Sequence, residues 1–316
     1  MPALHIKQRY SKRQSHIKFN ISIMKRINLF LLPLLVLVAG CNPQHYTDGE
    51  QNAFEGKYST SLPITGMVHE IYEVGEFGTS DRTVNDVWTW NRDRQLVTVY
   101  YGNGYYDGIQ SPIYDTYHYN SNGQIDSIVY HSDTEAQRTF KFHYDNGLLQ
   151  RITYQTRSTE FRYSAGSRYP YAIVFVQPVA DWLRDIYHTD TLVQCWTLQW
   201  NDGNLVRATA DSMAHYCTGI TQIDYQYDNH YNPLQGHFTS NSIFENRFID
   251  NPTYLSRNNM IQSTVYSSIP TTNNLTYQYR SNDGYPLSVT YTTPTDVYST
   301  ITTTTTFHYG EPFMDE

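Results

Sequence analysis

The side chains most able to move a proton or hold a metal near neutral pH are the 12 histidines of this 316-residue chain. Three of them, His118, His143 and His308, each stand one residue before an aromatic: Tyr119, Tyr144 and Tyr309. Equivalent positions in repeated units read first as solvent-facing positions on strands. A histidine ladder for a metal would need those strands to be neighbours. In YHTDT (187–191), His188 and Asp190 are two apart and share a face if the segment is a strand, but an acid–base pair also needs a cleft and a third partner. The Asp-Asn-Gly and Asn-Asp-Gly clusters carry oxygens of the kind calcium takes, yet turn geometry already accounts for them. The chain has no His-Glu-x-x-His, no Gly-x-Ser-x-Gly, no phosphate-cradling glycine loop and no paired-cysteine zinc pattern. The sequence therefore assigns no catalytic residue, metal or cofactor. A non-enzymatic binding or scaffold module is the expectation, with a hydrolase whose site is built from loops as the alternative.

Aromatics make up 15% of the chain, with 30 tyrosines, and an exposed ring can stack on a sugar or anchor a protein partner. Tyr101, Tyr105 and Tyr106 in YYGNGYYDG, and Trp182 in VADWLRDIY, fall outside the regular pattern described below. They are the candidate ligand-binding residues, for a glycan or an envelope protein. Cys195 and Cys217 could form a disulfide closing a loop of about 22 residues, stabilising by roughly 3 kcal/mol, or stand as two thiols.

The elements that would position these residues show strict alternation. Phe140, Phe142 and Tyr144 interleave with Thr139, Lys141 and His143; Trp196, Leu198 and Trp200 with Thr197 and Gln199; Leu275, Tyr277 and Tyr279 with Thr276 and Gln278. Period two in β-formers means strands with one apolar and one wet face. An Asn/Asp/Gly cluster follows each aromatic, supplying the positive φ that tight hairpins need. An aliphatic run then returns, as in YDNGLLQRITY (144–154), YNSNGQIDSIVY (119–130), WNDGNLVRAT (200–209) and YRSNDGYPLSVTY (279–291). FRYSAGSRYPYAIVF (161–175) and, less clearly, NRFIDNPTYL (246–255) read as degenerate copies, and VADWLRDIY (179–187) as a short helix. Each unit is a hairpin that cannot bury its own apolar face, so neighbours must cover it. The fold class is all-β: an antiparallel meander of repeated hairpins, forming a flattened barrel or large curved sheet of about 15 strands in one domain, 58–316. A closed barrel of that size is too wide for its own side chains to fill. Tyrosine dominates the apolar face where lipid would select an aliphatic band, which speaks against a membrane-spanning barrel.

The aromatic-Asp-x-x-Gly-x-Leu unit is similar to the YD repeats of Rhs-type shell proteins, though without their strict spacing. MKRINLFLLPLLVLVAGC (24–41) has a basic start, a short apolar run and Val38-Ala39-Gly40-Cys41, which resembles the lipobox of bacterial lipoproteins. Together these features resemble the lipoproteins of Bacteroides-type bacteria described as a domain of unknown function with a porin-like fold. The resemblance implies a leader and signal (1–40), removed before Cys41, and a lipidated tether (41–57). Asn42 lacks the aspartate that retains lipoproteins at the inner membrane, so an outer-membrane location follows, on either face. The first 40 residues hold seven of the 22 basic side chains and no acid, leaving 15 basic against 30 acidic residues and a formal charge of −15 rather than −8. Such a chain repels nucleic acid and anionic headgroups, so its membrane contact would come through the N-terminal acyl chains.

Fatty-acid labelling in cells should mark the wild type and not Cys41→Ala. Equal label in both, or a wholly soluble wild type, would overturn the lipid assignment.

Overall fold

The computed structural model describes residues 52–57, 62–75, 78–102, 105–106, 109–110, 113–179, 184, 189–244, 247–294 and 299–310. Its strands are β1 (Ile64–Gly75), β2 (Gly78–Trp90), β3 (Leu96–Tyr101), β4 (Tyr105–Tyr106), β5 (Ile109–Gln110), β6 (Ile113–Tyr119), β7 (Ile125–His131), β8 (Arg138–Asp145) and β9 (Leu148–Tyr154). They continue as β10 (Arg157–Arg162), β11 (Ala172–Pro178), β12 (Thr191–Asn201), β13 (Asn204–Ala210), β14 (Gln222–Tyr231), β15 (Asn258–Tyr266), β16 (Thr271–Tyr279), β17 (Pro286–Pro294) and β18 (Thr300–Tyr309). Sixteen of them form one closed antiparallel barrel in chain order, with β1 pairing β18 to complete it; β4 and β5 make a separate two-stranded ribbon. The expected antiparallel meander forms, and it closes.

The hairpin motif has a specific physical basis. In each tight hairpin the register shifts at the aromatic: Trp90 pairs Leu96 while Thr89 pairs Thr98, Tyr119 pairs Ile125 while His118 pairs Ser127, and Tyr144 pairs Leu149 while His143 pairs Arg151. Trp200 with Leu205 and Tyr279 with Pro286 repeat the pattern. The extra residue (Val97, Asp126, Gln150, Val206 or Leu287) is a β-bulge, which locally breaks the ladder and leaves main-chain groups seeking partners. The next hairpin supplies one. Tyr119 Oη donates to Leu96 O (2.8 Å), Tyr144 Oη to Ile125 O (2.8 Å) and Tyr163 Oη to Leu149 O (2.7 Å). Tyr227 Oη donates to Leu205 O (2.7 Å), Tyr309 Oη to Pro286 O (2.9 Å) and Trp90 Nε1 to Ile64 O (2.8 Å), where Thr65 is the bulged residue. The aromatic is thus tyrosine or tryptophan because a ring must pack inward while its polar tip latches the neighbouring unit.

The bore is filled by the chain itself. Segment 232–257, between β14 and β15, touches inward side chains on strands as far apart as β2, β6, β10 and β14. The His237 ring lies tilted against Trp88 of β2 with centroids 4.1 Å apart, Tyr117 Oη of β6 donates to Phe238 O (3.0 Å), and Phe248 meets Phe161 of β10 at 6.1 Å. Tyr225 Oη of β14 donates to Ile249 O (2.5 Å). A segment that reaches strands so far apart in a closed sheet must lie inside it. Phe238, Phe248, Ile249 and Leu255 are fully buried there. The short helix α2 (Ser240–Phe244) belongs to this plug, and the Arg138 and Arg157 guanidinia lie over the Phe244 ring at 4.3 and 5.1 Å. NRFIDNPTYL, expected as a degenerate hairpin, is instead part of the plug, its Pro252–Tyr254 forming a 3-10 turn. FRYSAGSRYPYAIVF does form the β10–β11 hairpin.

Residues 52–57, expected as the end of the tether, pack into the rim that carries the tight turns. Phe54 is buried among Phe161, Tyr163, Tyr169 and Trp200, with ring centroids 5.4 to 6.5 Å away, and Gly56 O accepts from Ile125 N (2.8 Å). Gly56 has φ 65°, and a Cβ there would strike the Tyr144 ring, so only glycine fits. A helix the periodicity did not announce, α1 (Ser212–Thr218), is marked by its ends. The Asp211 side chain caps Ala214 N (2.7 Å), and Gly219 ends it at φ 71°. VADWLRDIY lies largely outside the described residues.

Tyr144→Phe should cost about 1 to 2 kcal/mol by leaving Ile125 O without its donor. Tyr144→Ala should cost about 3 kcal/mol or more, and exposed His143→Ala no more than about 0.5 kcal/mol. Denaturant midpoints of the three variants test this order.

Candidate functional site

His118, His143 and His308 are exposed, on β6, β8 and β18, and none of these strands pairs with another of the three. His143 meets Thr153 Oγ1 across the β8–β9 pair at 2.9 Å. Asp190 pairs with Arg184 Nε at 3.2 Å; His188 lies outside the described residues. Tyr101 does not face outward as a loop aromatic would. Its ring packs against the core and its hydroxyl donates to Asp115 Oδ2 (2.7 Å). Tyr105 and Tyr106 form β4, and their side chains, like all of Trp182 and Cys41, lie outside the described residues. Cys195 on β12 and Cys217 on α1 are not joined by a disulfide. Asp211 N donates to Cys195 O (2.9 Å), and the helix then carries Cys217 roughly 9 Å further along its axis, beyond easy reach of a bridge.

One arrangement with the order of a hydrolytic triad was not legible in the sequence. His69 Nε2 meets Asp86 Oδ2 at 3.2 Å and His69 Nδ1 meets Thr305 Oγ1 at 2.8 Å. The three sit on the adjacent strands β2, β1 and β18, with His69 directly opposite Thr305 in register. Thr305 is 7% and Asp86 9% exposed, and Asp86 Oδ1 accepts from Gly102 N (3.2 Å). Every polar atom here is used in tying three strands together, which makes it a cross-strand clamp at the barrel seam.

A buried polar contact docks the plug. Asp115, fully buried on β6, accepts at Oδ2 from Ser240 N (2.8 Å) as well as from Tyr101. Burial pushes its carboxyl above the usual range, against the lowering effect of those two donors. Burial alone pushes His237 down to about 3, so its imidazole is neutral.

The open polar site lies in the wall. β13 and β14 pair only at Arg207 with Asp224, Ala208 with Ile223 and Thr209 with Gln222. The bidentate Arg207–Asp224 contact (2.6 and 2.9 Å) marks the last pair, and it holds the Asp224 carboxyl below its usual range. Beyond it, at bulged Val206, the strands separate. Residues 256–258 span the far side: Arg257 N donates to Gly203 O (3.1 Å), and Leu205 N to Ser256 Oγ (3.2 Å). Asn204 and Asn258 are joined by two bonds, Asn204 Nδ2 to Asn258 Oδ1 (2.9 Å) and Asn258 N to Asn204 Oδ1 (2.8 Å). The resulting window has a volume of about 410 Å³ and is lined by Asn201, Asp202, Gln226, Asp228, Asn229 and Arg257 among others. Asp228 is fixed from behind, accepting from the Tyr279 hydroxyl and from His230 N (3.0 Å), and the His230 ring stacks on Tyr279 at 3.9 Å. In the sequence the Asn-Asp-Gly cluster at 201–203 reads first as a turn, with calcium oxygens as the lesser alternative, and nothing marks Gln226, Arg257 or Asn258 as neighbours of it.

No family model matches the sequence, and no curated protein matches it. Among solved structures, a porin-like protein from Bacteroides uniformis aligns with 80% of this chain and 100% of its own length, at 15% identity and a TM-score of 0.49. A porin-like protein from Bacteroides vulgatus aligns over 78% and 98% at 11% identity, TM-score 0.39. The Tc holotoxin pore of Photorhabdus luminescens aligns over 68% of this chain and 9% of its own, at 13% identity and TM-score 0.31.

The raised carboxyl of Asp115 fixes the sign of a pH effect. A group whose folded value lies above the unfolded one stabilises fully below the unfolded value, about 3.9, and loses that contribution as pH rises through the folded value. Asp115→Asn keeps an acceptor for Ser240 N and the Tyr101 hydroxyl but carries no charge. The stability of wild type relative to Asp115→Asn should therefore fall as pH is raised from 4 upward, read from urea midpoints at a series of pH values. A difference that grows in favour of the wild type would show the buried carboxylate to be stabilising.

Proposed function

We propose that the protein is a lipid-anchored module of the cell envelope that binds or scaffolds, held at the outer membrane through acyl chains on Cys41. The observation that carries this reading is the filled bore. A barrel of sixteen strands ordinarily encloses a channel, but here segment 232–257 occupies it with buried aromatic and aliphatic side chains. The outer wall supports the same reading. Lys141, His143, Arg151 and Arg162 are exposed along β8, β9 and β10, where a lipid-facing band would be apolar. A rigid, plugged barrel with a polar exterior is suited to presenting a surface or a wall site. Its polar constellations near the seam and the plug serve packing, which favours binding over catalysis.

The full chain, purified in detergent and added to planar lipid bilayers, should give no stepwise conductance, and in sucrose-gradient fractionation it should travel with outer membranes. Reproducible channels would overturn the plugged-module reading, and a soluble periplasmic profile would overturn the anchor.

A further inference from the structure

We propose that the window between β13 and β14 is a binding site for a short neutral oligosaccharide. This deepens the binding-module reading and rests on it.

The opening follows from the sheet itself. After the Val206 bulge the β13–β14 ladder does not resume, and segment 256–258 crosses the gap in place of a strand partner. About 410 Å³ is left open, within the range of pockets that enclose small molecules. The chemistry of the lining selects the class. Asn201, Gln226 and Asn229 line the site as exposed carboxamide residues, and their side chains make no hydrogen bond to another described residue. An amide both donates and accepts, as a sugar hydroxyl does, so each can engage a pair of neighbouring hydroxyls. The carboxylates of Asp202 and Asp228 add acceptors, and Arg257, whose Nη1 meets Asp202 Oδ1 at 3.5 Å, adds a planar donor with its remaining N–H groups.

Other classes fit worse. An anion would meet two carboxylates against one guanidinium, in a chain whose formal charge is −8. A peptide added as a strand needs open main-chain groups at the rim. Leu205 N already donates to Ser256 Oγ, Leu205 O accepts from Tyr227 Oη, and Asn258 N donates to Asn204 Oδ1. An apolar ligand would strip water from the amides and return no hydrogen bond. The site is also held in shape before any ligand arrives, by the doubly bonded Asn204–Asn258 pair and by Asp228 pinned beneath Tyr279 and His230. Preorganisation of this kind lowers the cost of binding.

The test uses the full chain in detergent and a panel of probes: maltotriose, cellotriose, xylotriose, mannotriose and chitotriose, with trigalacturonate as the acidic counterpart. Saturation-transfer NMR should show contact with at least one neutral trisaccharide and weaker or no contact with trigalacturonate. The double variant Gln226→Ala/Asn229→Ala, both exposed residues outside the packing, should keep the wild-type melting temperature and bind that probe about tenfold more weakly or worse. Preference for the acidic sugar, no contact with any neutral probe, or equal binding by variant and wild type would each overturn the proposal. Cleavage of the bound probe, seen in the same spectra, would support the site while overturning the non-enzymatic reading.

Discussion

The hydrogen bond from a hairpin aromatic to the carbonyl just before the bulge of the preceding hairpin is the constraint on which the barrel depends. A bulge disturbs the ladder at the foot of each return strand, a place where strands would otherwise slip by one residue and turn their apolar face outward. The tyrosine or tryptophan tip of the next unit fixes that place, as Tyr144 does at Ile125 and Tyr227 at Leu205. Register is thus passed from hairpin to hairpin around the ring. Trp200 departs from the rule, its Nε1 donating to Pro170 O (2.6 Å) in the β10–β11 hairpin, whose register does not shift. So does Tyr279, because no tight hairpin precedes it, only the long plug segment. Its hydroxyl goes to Asp228 and so becomes part of the wall window.

The latch is one of several ties across so wide a barrel. Neighbouring units are joined by main-chain ladders, by these side-chain bonds, and by two internal inserts. Phe54 and its flanking residues fill the rim with the tight turns, while segment 232–257 fills the interior. The inserts bring main-chain groups that bond to the wall, as Ser240 N does to Asp115 and Phe238 O to Tyr117. Buried main chain is tolerated only on such terms.

Local features were legible in the sequence. Period-two alternation located Phe140, Phe142 and Tyr144 on the inward face and His143 on the outward one, and Asn-Gly and Asp-Gly pairs located the turns, with Asn146 (φ 50°) and Asp202 (φ 48°) in the left-handed region. What depends on distant partners was not. His69 finds Thr305 across 236 residues, and no local pattern announces it. The plug has neither period two nor a sustained helical period, because its side chains answer to a curved interior, and so its stretch 246–255 reads as a worn hairpin. Tyr101 looked like a loop aromatic because its partner Asp115 lies beyond the small β4–β5 ribbon. The window was invisible for a related reason: Asn and Asp suit turns so well that their presence there carried no further signal.

The seam between β1 and β18 has a consequence for how the molecule is made. Every other wall contact joins consecutive strands or bridges a single insert, and so forms as the chain emerges, with little entropy lost to loop closure. The seam joins Ile64 to Tyr309 and can form only after all the intervening strands exist. Until then the growing sheet is an open trough with two bare edges, and the plug, translated before the last four strands, lies in it uncovered. During that interval the nascent protein exposes the aromatic surface and strand edges that chaperones recognise and that aggregation exploits. The threonine-rich final strand, with few large apolar side chains, is a polar lid for that stage: the last piece to arrive stays soluble while it waits to be enclosed.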